Sequence, residues 1–481
     1  MFKSLDLFAG IGGFHRAVVN NGGTVPFFSE IAKDAIEAYC KNYGVTGDCN
    51  IGDITKVNDV PYVDFITAGV PCQSWSIAGK RLGFEDDRGQ LWNDTIYLLD
   101  KIGPKAFLFE NVKGLADKRN QESFNYIIER IREAGYNVTW EVLNSYDYGS
   151  PQMRERVYIV GFRDRQFLDK YVFPAPVADK LTMHEILTGE KVDMSNVTSS
   201  SRSLSKNATG ENDYYIFTDV RSGPTTIHSW DMIETTPLQK RICDIMLKNR
   251  RKPKYGPQDG NPMAVRDVYE ILNDITFNDT LEAMSALVDK GILRSVNYWL
   301  KYDLPCTGPA ALPDGLCKQI AELCADECSL PRIHANATIR KYGRVATNHM
   351  IATMINNGML KVTERRFDFV NSKVSTGIDD VYRVFLRSCN VYPTLVASDT
   401  RDYVATVDLS VNDKAHFIEE IAKRKRYRKI TKAEACRIQG YPEDFILPER
   451  RARWMKLIGN SVTVPVIDQL VKSIVDTGVF E

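Results

Sequence analysis

The sequence predicts the α/β class: a doubly wound, Rossmann-like parallel sheet with helices on both faces, followed by a smaller mixed domain. Three observations predict it. Strand and helix signals alternate through the first 165 residues, a glycine-rich turn joins the first strand to the first helix, and the alternation stops near residue 170, where Pro174 and Pro176 break it.

The elements follow in order. Residues 4–8 read as an apolar strand and 13–21 as the helix after it. A strand over 25–30 precedes a helix over 32–43, and a strand over 64–70 precedes a helix over 90–102. The strand over 106–112 leads to a helix over 121–134, with Phe124, Ile127, Ile128 and Ile131 on one face. Residues 138–144 and 156–162 read as two further strands of the same parallel sheet. Residues 194–210, rich in Ser, Asn and Thr, read as loop.

Composition is that of an ordinary globular protein: 481 residues, 43% apolar, 26% charged, net charge +0. That balance argues against a protein basic all over, but a local basic face is enough for nucleic acid. The ten cysteines have no framework spacing, so reduced thiols are expected. No apolar run is long enough for a membrane span, and the first residues lead straight into a strand, leaving no room for a secretory signal.

Polar residues gather at the predicted strand ends. In Phe8-Ala9-Gly10-Ile11-Gly12-Gly13 the glycines let a ligand approach the backbone, but the third glycine directly follows the second, which is not the dinucleotide spacing. Glu30 ends the second strand, where a carboxylate suits ribose hydroxyls, and Asp53 ends the next and suits an adenine amino group. Either could equally be a surface acid. Gly69-Val70-Pro71-Cys72-Gln73-Ser74 holds a thiol at a strand end, where open α/β sheets bind ligands. A thiolate there is a strong nucleophile, although a lone cysteine is more often structural. Glu110, after Ala106-Phe107-Leu108-Phe109, can share or donate a proton, or make a salt bridge. Gln152-Met153-Arg154-Glu155-Arg156 opens a strand whose period of two places Arg154 and Arg156 on one face. Downstream come a capping box at Thr431 and Glu434, the basic run over 423–429, which reads as a solvated face or a phosphate contact, and Ile458-Gly459-Asn460-Ser461-Val462.

These ordered blocks resemble the cytosine-C5 DNA methyltransferase family of the bacterial or phage, restriction–modification type. The resemblance covers about 1–165 and 428–481. It implies an adenosylmethionine-dependent methyltransferase fold with a target-recognition domain. It also implies methyl transfer from S-adenosyl-L-methionine to C5 of cytosine in duplex DNA, through a covalent Cys–C6 intermediate after base flipping. On the matching positions Cys72 is the nucleophile, Glu110 activates the ring at N3, Arg156 contacts O2 and Arg154 orients. The cofactor positions are Phe8, Ala9, Gly10, Ile11, Gly12, Gly13, Glu30, Ile31, Asp53, Ile54, Pro71, Leu91, Asn460 and Val462. Ile31 departs from the Trp that the family often carries. DNA contacts are expected from Gln73, Ser76, Lys80, Arg81 and Arg88 on a loop that closes over the base, and from Thr394 in Pro393-Thr394-Leu395-Val396.

The resemblance divides the chain into a catalytic and cofactor-binding domain over 1–170, completed by 457–481, and a target-recognition domain over 171–456. Within the latter, 285–294 and 352–361 share a helix–Gly–strand pattern, that of a winged-helix-like insertion at about 260–370 or of any such unit. Cys306, Cys317, Cys324, Cys328 and His334 lack a Cys-x-x-Cys pair, so no metal is expected; His228 falls outside every family block, so a structural or DNA-contact role is expected. The rivals are tRNA methylation, which the long central domain disfavours, a nicotinamide oxidoreductase, which the glycine spacing disfavours, and a silent DNA-binding regulator. The expected partners are double-stranded DNA and a cognate restriction endonuclease; a cytoplasmic monomer is expected, in a bacterial or phage-infected cell.

Overall fold

The computed structural model describes residues 1–57, 60–71, 87–191, 213–216, 219–221, 223, 225–256, 260–299, 341, 353, 363–371, 380–410 and 413–481. The chain forms two compact units, residues 1–213 with 384–481, and residues 214–383. These bounds differ from the expected ones. Residues 171–191, 384–410 and 413–456 pack with the first unit because Met183, Ile186, Phe385, Tyr392, Leu395 and Ile430 share one buried cluster with Ile11, Ile438 and Trp454.

The first unit begins with β1 (Lys3–Leu7), α1 (Gly13–Asn20), β2 (Thr24–Ser29), α2 (Lys33–Tyr43), β3 (Phe65–Gly69) and α3 (Asp87–Ile102). It continues with β4 (Ala106–Val112), α4 (Gln121–Glu133), β5 (Asn137–Asn144), β6 (Gln152–Met153) and β7 (Glu155–Phe162). Six of the strands form one sheet in the order β2-β1-β3-β4-β7-β5. β1 lies parallel to β2 and β3, and β3 to β4, each pair joined through a helix. β7, by contrast, runs antiparallel to both β4 and β5. This corrects the expectation of an all-parallel sheet: no crossover helix separates β5 from β7, and parallel pairing needs one.

The pleat sorts strand residues into two cores. Phe107 and Phe109 join Trp92 and Ile96 of α3 and Phe124 and Ile127 of α4. Ala106 and Leu108 face the other way, with Phe14, Ala17 and Val18 of α1. Each large side chain buried this completely contributes about 1.5–3 kcal/mol, which holds the strand ends, and the polar residues on them, in place.

The second unit carries α5 (Pro237–Asn249), α6 (Val265–Leu272), α7 (Phe277–Asp289), β8 (Leu293–Trp299) and β9 (Thr363–Phe369). Capping boxes at Thr236 and Thr276 start α5 and α7. α6 ends at Asn273 in the left-handed region, φ 59°. β8 and β9 pair antiparallel, and Met263 bridges antiparallel to Phe367. The three helices and this sheet share a core that includes Ile242, Met246, Val268, Met284, Leu287 and Phe367. The helix–Gly–strand pattern at 285–294 is α7, Gly291 and β8; the matching stretch at 352–361, and the five candidate metal ligands, lie outside the described residues apart from Thr353. His228 is buried and stacks on Trp230 with ring centroids 4.2 Å apart, its Nδ1 3.7 Å from Asp219.

The chain then returns to the first unit through β10 (Tyr392–Pro393), α8 (Lys432–Gln439), α9 (Arg451–Asn460) and α10 (Val464–Val475). β10 pairs parallel with β6. The capping box at α8 is present: Glu434 N–H donates to Thr431 Oγ1 at 3.1 Å and Thr431 N–H donates to Glu434 Oε2 at 2.7 Å. α10 buries Val466, Ile467, Leu470 and Val471 in the core of α1. The basic run over 423–429 is paired within the chain: Lys423 with Glu419, Arg424 and Arg426 with Glu420, Arg428 with Glu434 and Lys429 with Asp399. Such pairs use the charges that the sequence left open for phosphates.

Candidate active site

The carboxyl ends of β1, β2, β3 and β4 open onto one cavity of about 360 Å³. Its first wall is the turn after β1. Gly12 has φ +86°, a conformation that favours glycine. Gly13 answers a different need: a Cβ there would stand 2.5 Å from Val462 Cγ2 and 2.8 Å from Tyr441 Oη. The return segment 459–462 therefore presses on the glycine turn, and Asn460, Ser461 and Val462 line the cavity beside Phe8, Ala9 and Gly10.

The acids on the second wall are already engaged with backbone. Glu30 accepts from Gly10 N–H at 2.9 Å through Oε2, and from Ile31 and Ala32 N–H at 2.7 Å each through Oε1. A carboxylate has about four lone-pair sites, so Glu30 keeps one for a ligand while its plane is fixed. Asp53 accepts from the Thr55 hydroxyl at 2.8 Å and the Thr55 N–H at 3.1 Å, bonds that hold its pKa below the ordinary value. Ser29 donates to Gly52 O at 2.6 Å and so ties the Glu30 strand end to the Asp53 segment. Ile31 is 74% exposed at the cavity wall, an apolar surface on which a flat ring can rest.

At the other end, Glu110 and Arg156 form an ion pair, Oε1 to Nε 2.9 Å, with their side chains 11% and 15% exposed. Both line the cavity, as do Gly69, Val70 and Pro71 at the end of β3. Asn111 donates to Val70 O at 3.1 Å, which locks the end of β4 to the backbone just before Pro71. Cys72, Gln73, Ser76, Lys80 and Arg81 lie outside the described residues, and Arg88 falls in the first turn of α3, where side chains are not described.

Arg154 does something else. It is buried at 3% exposure, and its guanidinium donates to the carbonyls of Leu395 at 3.1 Å, Gly459 at 3.3 Å and Ser461 at 2.8 Å. It sits in the one-residue gap between β6 and β7, and it lines the cavity together with Arg156. Gln152 reinforces the knot, donating to Gln439 Oε1 at 2.6 Å and accepting from Leu395 N–H at 3.3 Å. The Thr394 hydroxyl, expected at DNA, donates to Met153 O.

Of the expected cofactor positions, Ile11 and Gly12 do not line the cavity. Ile11 is fully buried in the neighbouring core, and the Gly12 carbonyl accepts from Tyr43 Oη at 2.6 Å. Phe14, Ser29, Val112 and Ser461 line it unforeseen; each adjoins or lies within one residue of an expected strand end or motif, the signal that could have found them. Under the turn lies an unforeseen buried pair. Asp6 accepts from the Thr67 hydroxyl at 3.0 Å, and burial pushes its carboxyl up to about 8; burial also pushes the His15 imidazole down to about 4, with Nδ1 2.7 Å from Tyr39 Oη. A second, wider depression of about 790 Å³ opens around Lys105 and Arg163 at the opposite ends of the strands. It holds none of the motif residues, and open sheets bind ligands at the carboxyl ends.

A family model described as C-5 cytosine-specific DNA methylase matches residues 2–298 and 317–476. The chain belongs to that family. Among similar proteins, the type II methyltransferase M.HgiBI of Herpetosiphon aurantiacus is 35% identical over 500 residues, covering 100% of this chain and 98% of that one. M.NlaIV of Neisseria lactamica is 28% identical over 99% of both chains. M.NgoBI of Neisseria gonorrhoeae is 42% identical over 193 residues, 40% of this chain and 59% of its own. Among solved structures, the Entamoeba histolytica methyltransferase EhMeth aligns over 99% of this chain and 98% of its own, with 12% identity and a TM-score of 0.48. The methylase is thus a DNA (cytosine-5-)-methyltransferase, and among its described residues no helix is long and apolar enough to cross a membrane.

Proposed function

We propose that the methylase transfers a methyl group from S-adenosylmethionine to C5 of a cytosine flipped out of duplex DNA, through a bond between Cys72 and C6. The observation that carries this reading is the Glu110–Arg156 pair, 2.9 Å apart, at one end of a cavity whose other end is the glycine turn, Glu30 and Asp53.

The donor set fits the cofactor. A sulfonium and an ammonium group suit a cavity with carboxylates, and a close-packed glycine turn admits the backbone approach that an amino-acid tail needs. Glu30 would take the ribose hydroxyls on its remaining lone pair, Asp53 the adenine amino group and Ile31 the face of the ring. Phe8, Ala9, Gly10 and Asn460 would hold the amino-acid end. When bound, the cofactor supplies an electrophilic methyl group on sulfur.

The chain's own residues supply the rest. Cys72 follows Pro71 at the end of β3. Its thiolate adds to C6, and Glu110 gives a proton to N3 as electrons enter the ring. Arg156 holds the Glu110 carboxyl in place and donates to O2. C5 would then accept the methyl group; a water takes the C5 proton as the thiolate leaves, and N3 returns its proton to Glu110, which restores the ring. In-duplex cytosine is out of reach of such a thiol, so the base must be extruded. The type II relatives support a place in a restriction–modification system; double-stranded DNA as substrate, a cognate endonuclease as counterpart and a monomer in the bacterial cytoplasm complete the proposal. DNA carrying 5-fluorocytosine in the target tests the chemistry: it should trap a complex that survives denaturation, and trapping that persists in Cys72→Ala would overturn the reading.

A further inference from the structure

We propose that residues 237–299 with 363–369 form a winged helix that holds duplex DNA by its phosphates. The contact is the basic edge at the end of α5, and α7 stays out of the groove. This goes beyond the cytosine chemistry, which belongs to the other unit.

The element order carries the first half. α5, a bridging strand residue at Met263, α6, a short turn through Asn273, α7, then β8 and β9 give helix–strand–helix–helix–strand–strand, with Met263 and β8 on opposite sides of β9. Three helices packed on a small antiparallel sheet in this order make a winged helix-turn-helix, and α7 occupies the place of its second, groove-reading helix.

Charge decides which surface meets DNA. α7 holds Asp279, Glu282 and Asp289 and no Lys or Arg. Asp279 and Glu282 are exposed on its amino-terminal half, the part that such helices present to base edges. Carboxylates there would face phosphates and be repelled. The end of α5 is the reverse. From Ile245 to Gly256 there is no acidic residue. Lys248, Arg251, Lys252 and Lys254 are all exposed. Arg250 turns inward, pairing with Asp368 of β9 at 2.9 Å and lying over the Phe369 ring at 5.4 Å from its centroid, and Arg251 donates to Val220 O at 3.2 Å. That buried anchor pins the segment to the sheet, and the Lys254 ammonium rests 4.6 Å from the centroid of the Tyr255 ring, whose side chain is buried. The cations are therefore carried on ordered backbone rather than on a free tail. A polyanion of regular spacing is the partner that this pattern fits.

The test uses the full chain and a labelled duplex without a target cytosine, so that its outcome is separate from methyl transfer. Each phosphate contact contributes about 0.9 to the slope of log affinity against log salt. The triple variant Lys248→Gln, Lys252→Gln, Lys254→Gln should lower that slope by about two to three and weaken binding at low salt by roughly tenfold or more. S-adenosylmethionine binding should stay unchanged. The Lys→Arg version of the same triple variant should retain both slope and affinity. Glu282→Lys should leave affinity within about twofold, because α7 carries no phosphate contact. An unchanged slope in the Gln variant would overturn the proposal, as would loss of binding in the Arg variant or clear tightening by Glu282→Lys, which would put α7 at the DNA.

Discussion

Replacing Arg154 by Leu tests whether its guanidinium is the clamp that holds the return segment in place. The guanidinium donates to three main-chain carbonyls, those of Leu395, Gly459 and Ser461, in a site only 3% exposed. A hydrogen bond from a charged donor is worth about 1.5–3 kcal/mol, and each orphaned buried acceptor costs about 1–3 kcal/mol. The Arg residue's own desolvation offsets part of this, so the net loss should fall at about 3–5 kcal/mol, as for other broken buried charge networks. That is a large share of the roughly 5–15 kcal/mol that holds a folded protein. Urea unfolding followed by tryptophan fluorescence should show the midpoint drop with little change in slope. Arg154→Lys should recover only part of it, since one ammonium cannot reach three divergent carbonyls as the planar fork does. Loosening the 459–461 turn should also raise KM for the cofactor. A variant with wild-type unfolding and unchanged cofactor KM, but a lowered kcat, would refute the clamp.

Two other outcomes follow from the site. Glu110→Gln and Arg156→Ala should each slow methyl transfer by about a hundredfold or more while cofactor binding changes little; equal loss of cofactor binding, read by equilibrium dialysis, would contradict the assignment. Asp6 should set the alkaline limit of stability. Its carboxyl is raised from 3.8 to about 8 in the fold, so the folded protein keeps a proton that the unfolded chain releases, and stability falls as pH rises from about 4 through about 8. His15 acts on the acid side: lowered from 6.5 to about 4, it makes stability fall as pH drops through that window. Asp6→Asn should flatten the alkaline decline in unfolding free energy, and an unchanged decline would remove Asp6 as its cause.

Local order was legible; partners far along the chain were not. The apolar run opening 106–112 and the capping box at Thr431 are properties of a few neighbouring residues, and the strand and the box both appear at those positions. The antiparallel insertion of β7 between β4 and β5 was not legible, since alternating strand and helix signals say nothing about the one connection that lacks a helix. In the site, Glu110 and Arg156 meet across adjacent strands, a pairing consistent with their roles. What Arg154 holds was not legible, because its acceptors lie 241, 305 and 307 residues away in sequence. The basic run over 423–429 is the instructive case: its partners Glu419, Glu420 and Glu434 were close enough to see, yet only folded geometry shows the charges to be engaged.

The meeting of Gly13 with Val462 and of α1 with α10 has a consequence for how the methylase is made. At about 5–20 residues per second on the ribosome, the first strand and helix wait roughly half a minute to a minute and a half for the helix that covers them. Through that interval Ala17, Val18, Ala106 and Leu108 lack the α10 side chains that share their core, and the cavity at the strand ends lacks a wall. The second unit, whose helices and sheet have their own core, can fold in the meantime and shorten the loop that must close. The site at the strand ends is therefore completed only once translation has passed α10.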